Sequence, residues 1–201
     1  MLRRQLLTNT CVLLGGITAS GLVSALTGGD KPLLTFPLTS HQAQLCLVLS
    51  DLVIPRTDTP GAVDAGVPNF IESLVSDWYT HRERTIFLDG LTELDKYCLK
   101  EFGSDFLNST SAQQAVSLQD AETIAQAYAK AHPKPVTPAT LMGKGDIDQE
   151  APFFTKLKEL VVVGYYTSET ASSTEMQYLP VPGRYDGEAT LQASGGRQYI
   201  W

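Results

Sequence analysis

Few residues of this 201-residue chain have the types and spacing that covalent chemistry needs. Its three cysteines, Cys11, Cys46 and Cys98, stand far apart, so neither a C-x-x-C metal clip nor a C-x-x-C-H haem attachment is formed. The three histidines, His41, His81 and His132, are equally scattered, and His41 beside a helix start reads as a cap-region residue rather than a ligand. Asp58 and Asp64 lack the alternating oxygen ligands of a calcium loop. Carboxylate pairs such as Asp148 with Glu150, or Glu169 with Glu175, read as solvated acids. The chain has no glycine-rich dinucleotide loop, phosphate loop or G-x-S-x-G elbow. No catalytic, metal-binding or cofactor-binding residue is therefore assigned, and no catalytic site of its own is expected.

What remains is recognition chemistry, in two places. The first is the arginine pair Arg3-Arg4, followed by an uncharged stretch from Gln5 to Gly29 with an apolar centre, Cys11 to Ile17. Val23-Ser24-Ala25 offers the small residues that a signal peptidase cuts after. Paired arginines followed by Gln5, Leu6 and Leu7 fit a twin-arginine signal, with Leu2 where Ser or Thr is usual. Gly15, Gly16, Thr18, Ser20 and Gly21 dilute the apolar region, as that route expects. An ordinary secretory signal and an uncleaved anchor are the alternatives, and polar interruptions weigh against the anchor. The twin-arginine route carries folded proteins, which fits cargo that must first acquire a cofactor or a partner.

The second place is the C-terminal tail, with Tyr165, Tyr166, Thr167, Ser168, Tyr178, Pro182, Arg184 and Tyr185 as candidate partner-contact residues. Tyrosine couples a large apolar ring to one hydroxyl, and Tyr and Arg are enriched at interface centres. Either the tail wraps its own domain or it is closed over by a partner.

Both places need a scaffold, and the hydrophobic periodicity is helical throughout. Thr39 or Ser40 can cap a helix from His41 to Ile54, striped by Leu45, Val48, Leu49 and Leu52 and widened by Cys46 and Val53. Pro55 to Pro68 is a turn-rich connection. Pro68 suits the first turn of a second helix that presents Phe70, Ile71, Leu74, Val75 and Trp78 on one face. A third helix, Arg82 to Phe102, carries Phe87, Leu91, Leu94, Cys98 and Phe102 and stops at Gly103. Ser111 to Lys130 is a weaker, alanine-rich fourth, through Leu118, Ala121, Ile124, Ala125 and Tyr128. After a Pro- and Gly-rich excursion, Phe153, Phe154, Leu157, Leu160 and Val161 stripe a fifth, with Lys156, Lys158 and Glu159 opposite and the pattern stopping at Gly164. Cys46 and Cys98 fall on apolar faces, either as two buried thiols or as a disulfide between helices.

Composition sets outer bounds. The chain is 43% hydrophobic and 18% charged, which is globular, and its formal charge is −7. Setting aside residues 1–25 leaves thirteen basic residues against twenty-two acidic, or −9. So acidic a surface argues against nucleic acid and against direct binding to anionic lipid.

Two longer blocks carry a family resemblance. L-S-D-L-V-I-P-x-T-D-T-P-G-A-x-x-A-G-V-P-x-F-I (Leu49 to Ile71), followed by Asp77-Trp78-Tyr79, is one. The other is L-K-E-L-x-x-x-G-Y-Y-T-S-E with the Y-x-x-x-P-G-R-Y-D-G block up to Gly187. Together they resemble the gluconate 2-dehydrogenase subunit 3 family, and the stretch from Phe106 to Glu150 matches little. The resemblance implies a small, non-flavin subunit of a bacterial, membrane-associated, FAD-dependent sugar or sugar-acid dehydrogenase. Its implied partners are a large FAD-binding subunit of the glucose–methanol–choline type and, in several such enzymes, a multihaem cytochrome c subunit. The implied role is to aid maturation and twin-arginine export of the large subunit into the periplasm, with membrane association through partners only. FAD and haem c would belong to those partners.

The expected fold is therefore all-α, about five helices with a long irregular C-terminal tail. Residues 1–25 form the signal, 26–38 a linker and 39–201 one helical domain whose residues 164–201 wrap a partner. Two other classes stay open from the residues alone: a free-standing exported small hydrolase, and a periplasmic protein that binds a small ligand.

Overall fold

Three of the helix starts share one chemical device. Thr39, Thr80 and Thr110 each accept a hydrogen bond from the backbone N–H three residues on, and Gln42, Glu83 and Gln113 each accept one in turn from the cap's own N–H. Each capping box satisfies two amides that a helix start leaves unpaired. The computed structural model describes residues 36–133 and 148–178, with 183, 188, 190–192 and 195–200. Arg3, Arg4, Pro182, Arg184 and Tyr185 lie outside the described residues.

Within them the chain is all-α: α1 (Ser40–Val53), α2 (Val67–Ser73) running into a π-helical turn (Leu74–Trp78), α3 (His81–Phe102), α4 (Ser111–Ala131), α5 (Phe153–Tyr166) and α6 (Glu169–Thr174). Two three-residue strands, β1 (Met176–Tyr178) and β2 (Gln198–Ile200), pair in parallel with Met176 opposite Gln198. Segments this short are below the length at which period-two alternation shows in a sequence.

One core joins these helices. Leu45 and Leu49 of α1, Val67 and Ile71 of α2, Phe87, Leu91 and Cys98 of α3, and Leu157, Leu160 and Val161 of α5 are buried in it. Helix α5 touches α1, α2, α3 and α4 and is the central element. Glycines set two of its closest approaches. A Cβ at Gly90 of α3 would lie 2.2 Å from the Phe153 ring, and one at Gly164 of α5 would lie 2.6 Å from the Phe70 ring. Gly103 ends α3 in the left-handed conformation (φ 76°), as its position predicts.

Several expectations need correction. Helix α5 does not stop at Gly164 but runs on to Tyr166, because Gly164 serves packing against Phe70 rather than termination. The segment beyond it is not wholly irregular, since Ser168 caps the short helix α6 by accepting from the Ala171 N–H. Lys156 does not face solvent: it is 3% exposed, near an equally buried Glu83. Trp78 does not join Ile71 and Val75 in the core but is 80% exposed. The π turn explains Trp78. The Tyr79 N–H bonds to the Leu74 carbonyl five residues back, and one extra residue in a turn rotates the side chains beyond it by about 100°.

Helix α4 is the thinnest contact. Gln114, Ser117 and Ala125 are its buried residues, while Ile124, expected on the apolar face, is exposed. Cys46 and Cys98 are both free and buried; the Cys98 Sγ lies 3.1 Å from the Ser117 Oγ. Burial, with the nearby Glu72 carboxylate adding to it, pushes the Cys46 thiol up to about 12.

Candidate functional site

The two sequence blocks that stand out meet around one side chain. Tyr165, at the last turn of α5, is 1% exposed, and its hydroxyl lies 2.7 Å from both the Pro60 carbonyl and Glu175 Oε1. Thr59 Oγ1 donates to the same carboxylate oxygen at 2.8 Å. The connection from Pro55 to Pro68 is thus tied to the residue immediately before β1. Burial first, then the hydrogen bond and charge of Glu175, push the Tyr165 hydroxyl up to about 12, so it is a neutral donor at physiological pH. The connection is braced internally as well. Arg56 pairs with Asp64, whose Oδ2 also accepts from the Gly61 N–H at 2.9 Å, and these bonds hold the Asp64 carboxyl below its usual range.

Tyr165 is therefore inside this subunit's own core, and its neighbours in sequence divide by role. Thr167 Oγ1 donates to the Val163 carbonyl at 2.7 Å, and Ser168 Oγ donates to the Tyr165 carbonyl at 2.6 Å while capping α6. These two build the turn between α5 and α6. Tyr166 points outward, 42% exposed, with its ring edge-on to Tyr165 at 5.2 Å between centroids. Tyr178 lies in β1.

Beside Tyr166, the outer face of α5 also exposes Val162 and Val163. At 100° per residue, positions 162, 163 and 166 fall on one side of a helix whose other side carries 157, 160, 161, 164 and 165. The two valines lie inside the helix the sequence predicts, but its apolar stripe, Phe153, Phe154, Leu157, Leu160 and Val161, names only the inward positions. A wheel carried through to Tyr166 separates Val161, which is buried, from Val162 and Val163, which are not. An apolar groove of about 360 Å³ borders the same face, between α5 and α4, lined by Phe154, Val162, Ala125 and Ala129 and bridged by Lys158 and Glu122 at 3.8 Å.

The N-terminal half of α5 is held by charge. Lys156 Nζ donates to the Asp148 carbonyl at 3.1 Å, lies 3.7 Å from Glu83 Oε1 and sits 5.6 Å from the centre of the Tyr79 ring. Glu83 is itself the capping residue of α3, accepting from the Thr80 N–H at 3.0 Å and the Thr80 hydroxyl at 2.7 Å. Burial, with Glu159 and Glu83 adding to it, raises the Tyr79 phenol beyond its ordinary range. This cluster joins the start of α3, the approach to α5 and the π turn.

His41 sits in the first turn of α1 and meets the Asp95 Oδ2 of α3 at 2.6 Å, a contact between helices, while the cap of α1 itself is made by Thr39 and Gln42. Glu150 pairs with Arg82 on the surface. Among the described residues no group of three or more His, Cys, Asp or Glu is placed to hold a metal ion. Among them, too, no helix is long and apolar enough to cross a membrane. Among the described residues, the core is closed on the inner side of α5, and Val162, Val163 and Tyr166 are open on its outer side.

The family model described as gluconate 2-dehydrogenase subunit 3 matches residues 40–183, from the first turn of α1 to beyond β1. Comparison with curated proteins and with solved structures returned no match.

Proposed function

From the premise that this chain belongs to the gluconate 2-dehydrogenase subunit 3 family, whose members are small subunits of such dehydrogenase complexes, we propose that it is the non-catalytic subunit of a periplasmic, FAD-dependent sugar or sugar-acid dehydrogenase. In this reading it aids maturation of the FAD-binding large subunit and carries it, folded, through the twin-arginine route. A cytochrome c subunit would take the electrons and provide the attachment to the membrane. The sequence supports the export role through Arg3-Arg4 and the weakly apolar stretch after them.

The observation that carries the reading is the two-sidedness of α5. Its inner face is closed by this chain's own core, while Val162, Val163 and Tyr166 stand open on the outer face. Contiguous exposed apolar residues on a rigid helix mark an association surface. The reading assigns this chain no flavin, haem or metal.

Export supplies the test. The large subunit, expressed without a signal of its own, should reach the periplasm only together with this chain. The double substitution Arg3→Lys, Arg4→Lys should hold both proteins in the cytoplasm, because the receptor reads paired guanidinium groups rather than charge alone. Normal export of the double variant would mean an ordinary secretory signal, and export of the large subunit without this chain would remove the escort role.

A further inference from the structure

Trp78 carries an inference about the partner that the family does not supply. Had α2 continued as an α-helix, Trp78 would lie one or two turns beyond Ile71, Leu74 and Val75 on the buried face. The π turn from Leu74 to Trp78 instead rotates it into solvent. Arg84 of α3 holds that turn in place. Its Nε donates to the Val75 carbonyl at 2.8 Å, and one Nη donates to the carbonyls of Ser76 at 2.9 Å and Tyr79 at 3.2 Å. The guanidinium carbon lies 4.3 Å from the centre of the Phe36 ring, and Ser76 Oγ donates to the Phe36 carbonyl at 2.8 Å. Three side-chain bonds and a stacked ring thus maintain a backbone irregularity that leaves the largest apolar side chain in the described structure in water. π-helical turns inside α-helices recur at functional sites, and tryptophan is among the residue types most enriched at binding hot spots.

The turn runs beside α5. Gly164 packs on Phe70 of α2, and Lys156 lies over Tyr79, the residue after Trp78, so the two elements are antiparallel neighbours. Of the exposed charged residues, Asp77 adjoins Trp78, Glu159 lies close enough to Tyr79 to help raise its phenol, and Arg82 is paired with Glu150; Glu169 is exposed at the start of α6. Charge also chooses among occupants. A second copy of a chain at −7, or an anionic lipid surface, would bring like charge to this rim, whereas a basic-rimmed protein would not.

We infer that Trp78 is the anchor of the interface with the large FAD-binding subunit, and that the large subunit meets it with an apolar pocket inside a basic rim. Arg84 is a positioning residue for that anchor. The inference rests on the accessory-subunit reading above and adds the place and chemistry of the contact.

The test uses the full chain co-expressed with the large subunit, the complex being purified and its Kd measured by dilution. Trp78→Ala should weaken association by about 30-fold, the factor that defines a hot spot, while the isolated chain melts as the wild type does. Glu159→Lys with Glu169→Lys should also weaken it, and association of the wild type should fall as salt rises. Arg84→Lys keeps the charge but loses the fork, and should weaken the complex and raise mobility at Trp78. A Kd for Trp78→Ala within about threefold of wild type would overturn the inference while leaving the accessory role intact. If Trp78→Ala does not fold, the charge pair decides, and unchanged affinity there overturns it. Absence of any wild-type complex would overturn the accessory reading itself, and a wild-type homodimer lost on Trp78→Ala would overturn the inference by reassigning the face to a second copy.

Discussion

Replacing Tyr165 by phenylalanine removes one oxygen and leaves the packed ring in place. The hydroxyl lies 2.7 Å from the Pro60 carbonyl and 2.7 Å from Glu175 Oε1, and the side chain is buried. Glu175 keeps the Thr59 hydroxyl at 2.8 Å, so the Pro60 carbonyl is the group left without this partner. Leaving one such acceptor unpaired costs about 1–3 kcal/mol; Pro60 is only half-buried, and water can replace part of the loss, so about 1–2 kcal/mol is expected. For a chain of this size that lowers Tm by roughly 2–8 °C. Tyr165→Ala adds a cavity and should cost about 3–5 kcal/mol, the range for a large buried aromatic. Thermal unfolding followed by circular dichroism measures both, and dilution of the complex measures association. A Tm for Tyr165→Phe within about 1 °C of wild type, well under the shift expected from the lost bond, together with a large loss of association, would return Tyr165 to the partner surface. It would refute the argument that the ring and hydroxyl belong to this subunit's core.

Further outcomes rest on the same geometry. Because the Tyr165 hydroxyl is held up to about 12 in the folded chain against about 10 when unfolded, its contribution is fully present below about pH 10 and is lost as pH rises toward 12. Alkaline melting curves should therefore fall over that window, and less steeply in Tyr165→Phe. Lys156→Met should lower stability by about 3 kcal/mol by leaving the buried Glu83 carboxylate without its cation, and added salt should not diminish the difference from wild type; a thermal or denaturant titration decides it. Cys46 and Cys98 should resist a thiol reagent in the folded state and both react on unfolding, as the burial of each and the raised Cys46 thiol require.

Much of this fold could be read from local signals. Thr39, Gly103 and the apolar stripes of α1 and α3 are where periodicity and capping chemistry place them, because each depends on residues within one or two turns. The departures all come from tertiary contacts. Gly164 resembles a helix stop in isolation and is a close-packing residue only in the presence of Phe70. Lys156 reads as solvent-facing until Glu83, Asp148 and Tyr79 converge on it from elsewhere in the chain. Trp78 fits an ideal helical wheel and leaves it through one turn held by Arg84, eight residues from Ser76. The candidate site divides in the same way. Tyr166 stands on an open face, as a partner contact requires, while Tyr165 beside it is drawn into the core by Pro60, distant in sequence. Val162 and Val163 are legible in the sequence, because a helical wheel over residues 153–163 already sets them opposite Leu157, Leu160 and Val161.

The central claim is that this chain is a subunit without a flavin of its own, built to associate with one that has it. Sedimentation of the co-expressed proteins, followed at once through protein and flavin absorbance, addresses it most directly. A single boundary containing both chains and the flavin is expected, splitting on dissociation into a flavin-bearing large subunit and a colourless small one. Two independent boundaries under conditions where each protein is folded, or flavin sedimenting with the small subunit alone, would contradict it.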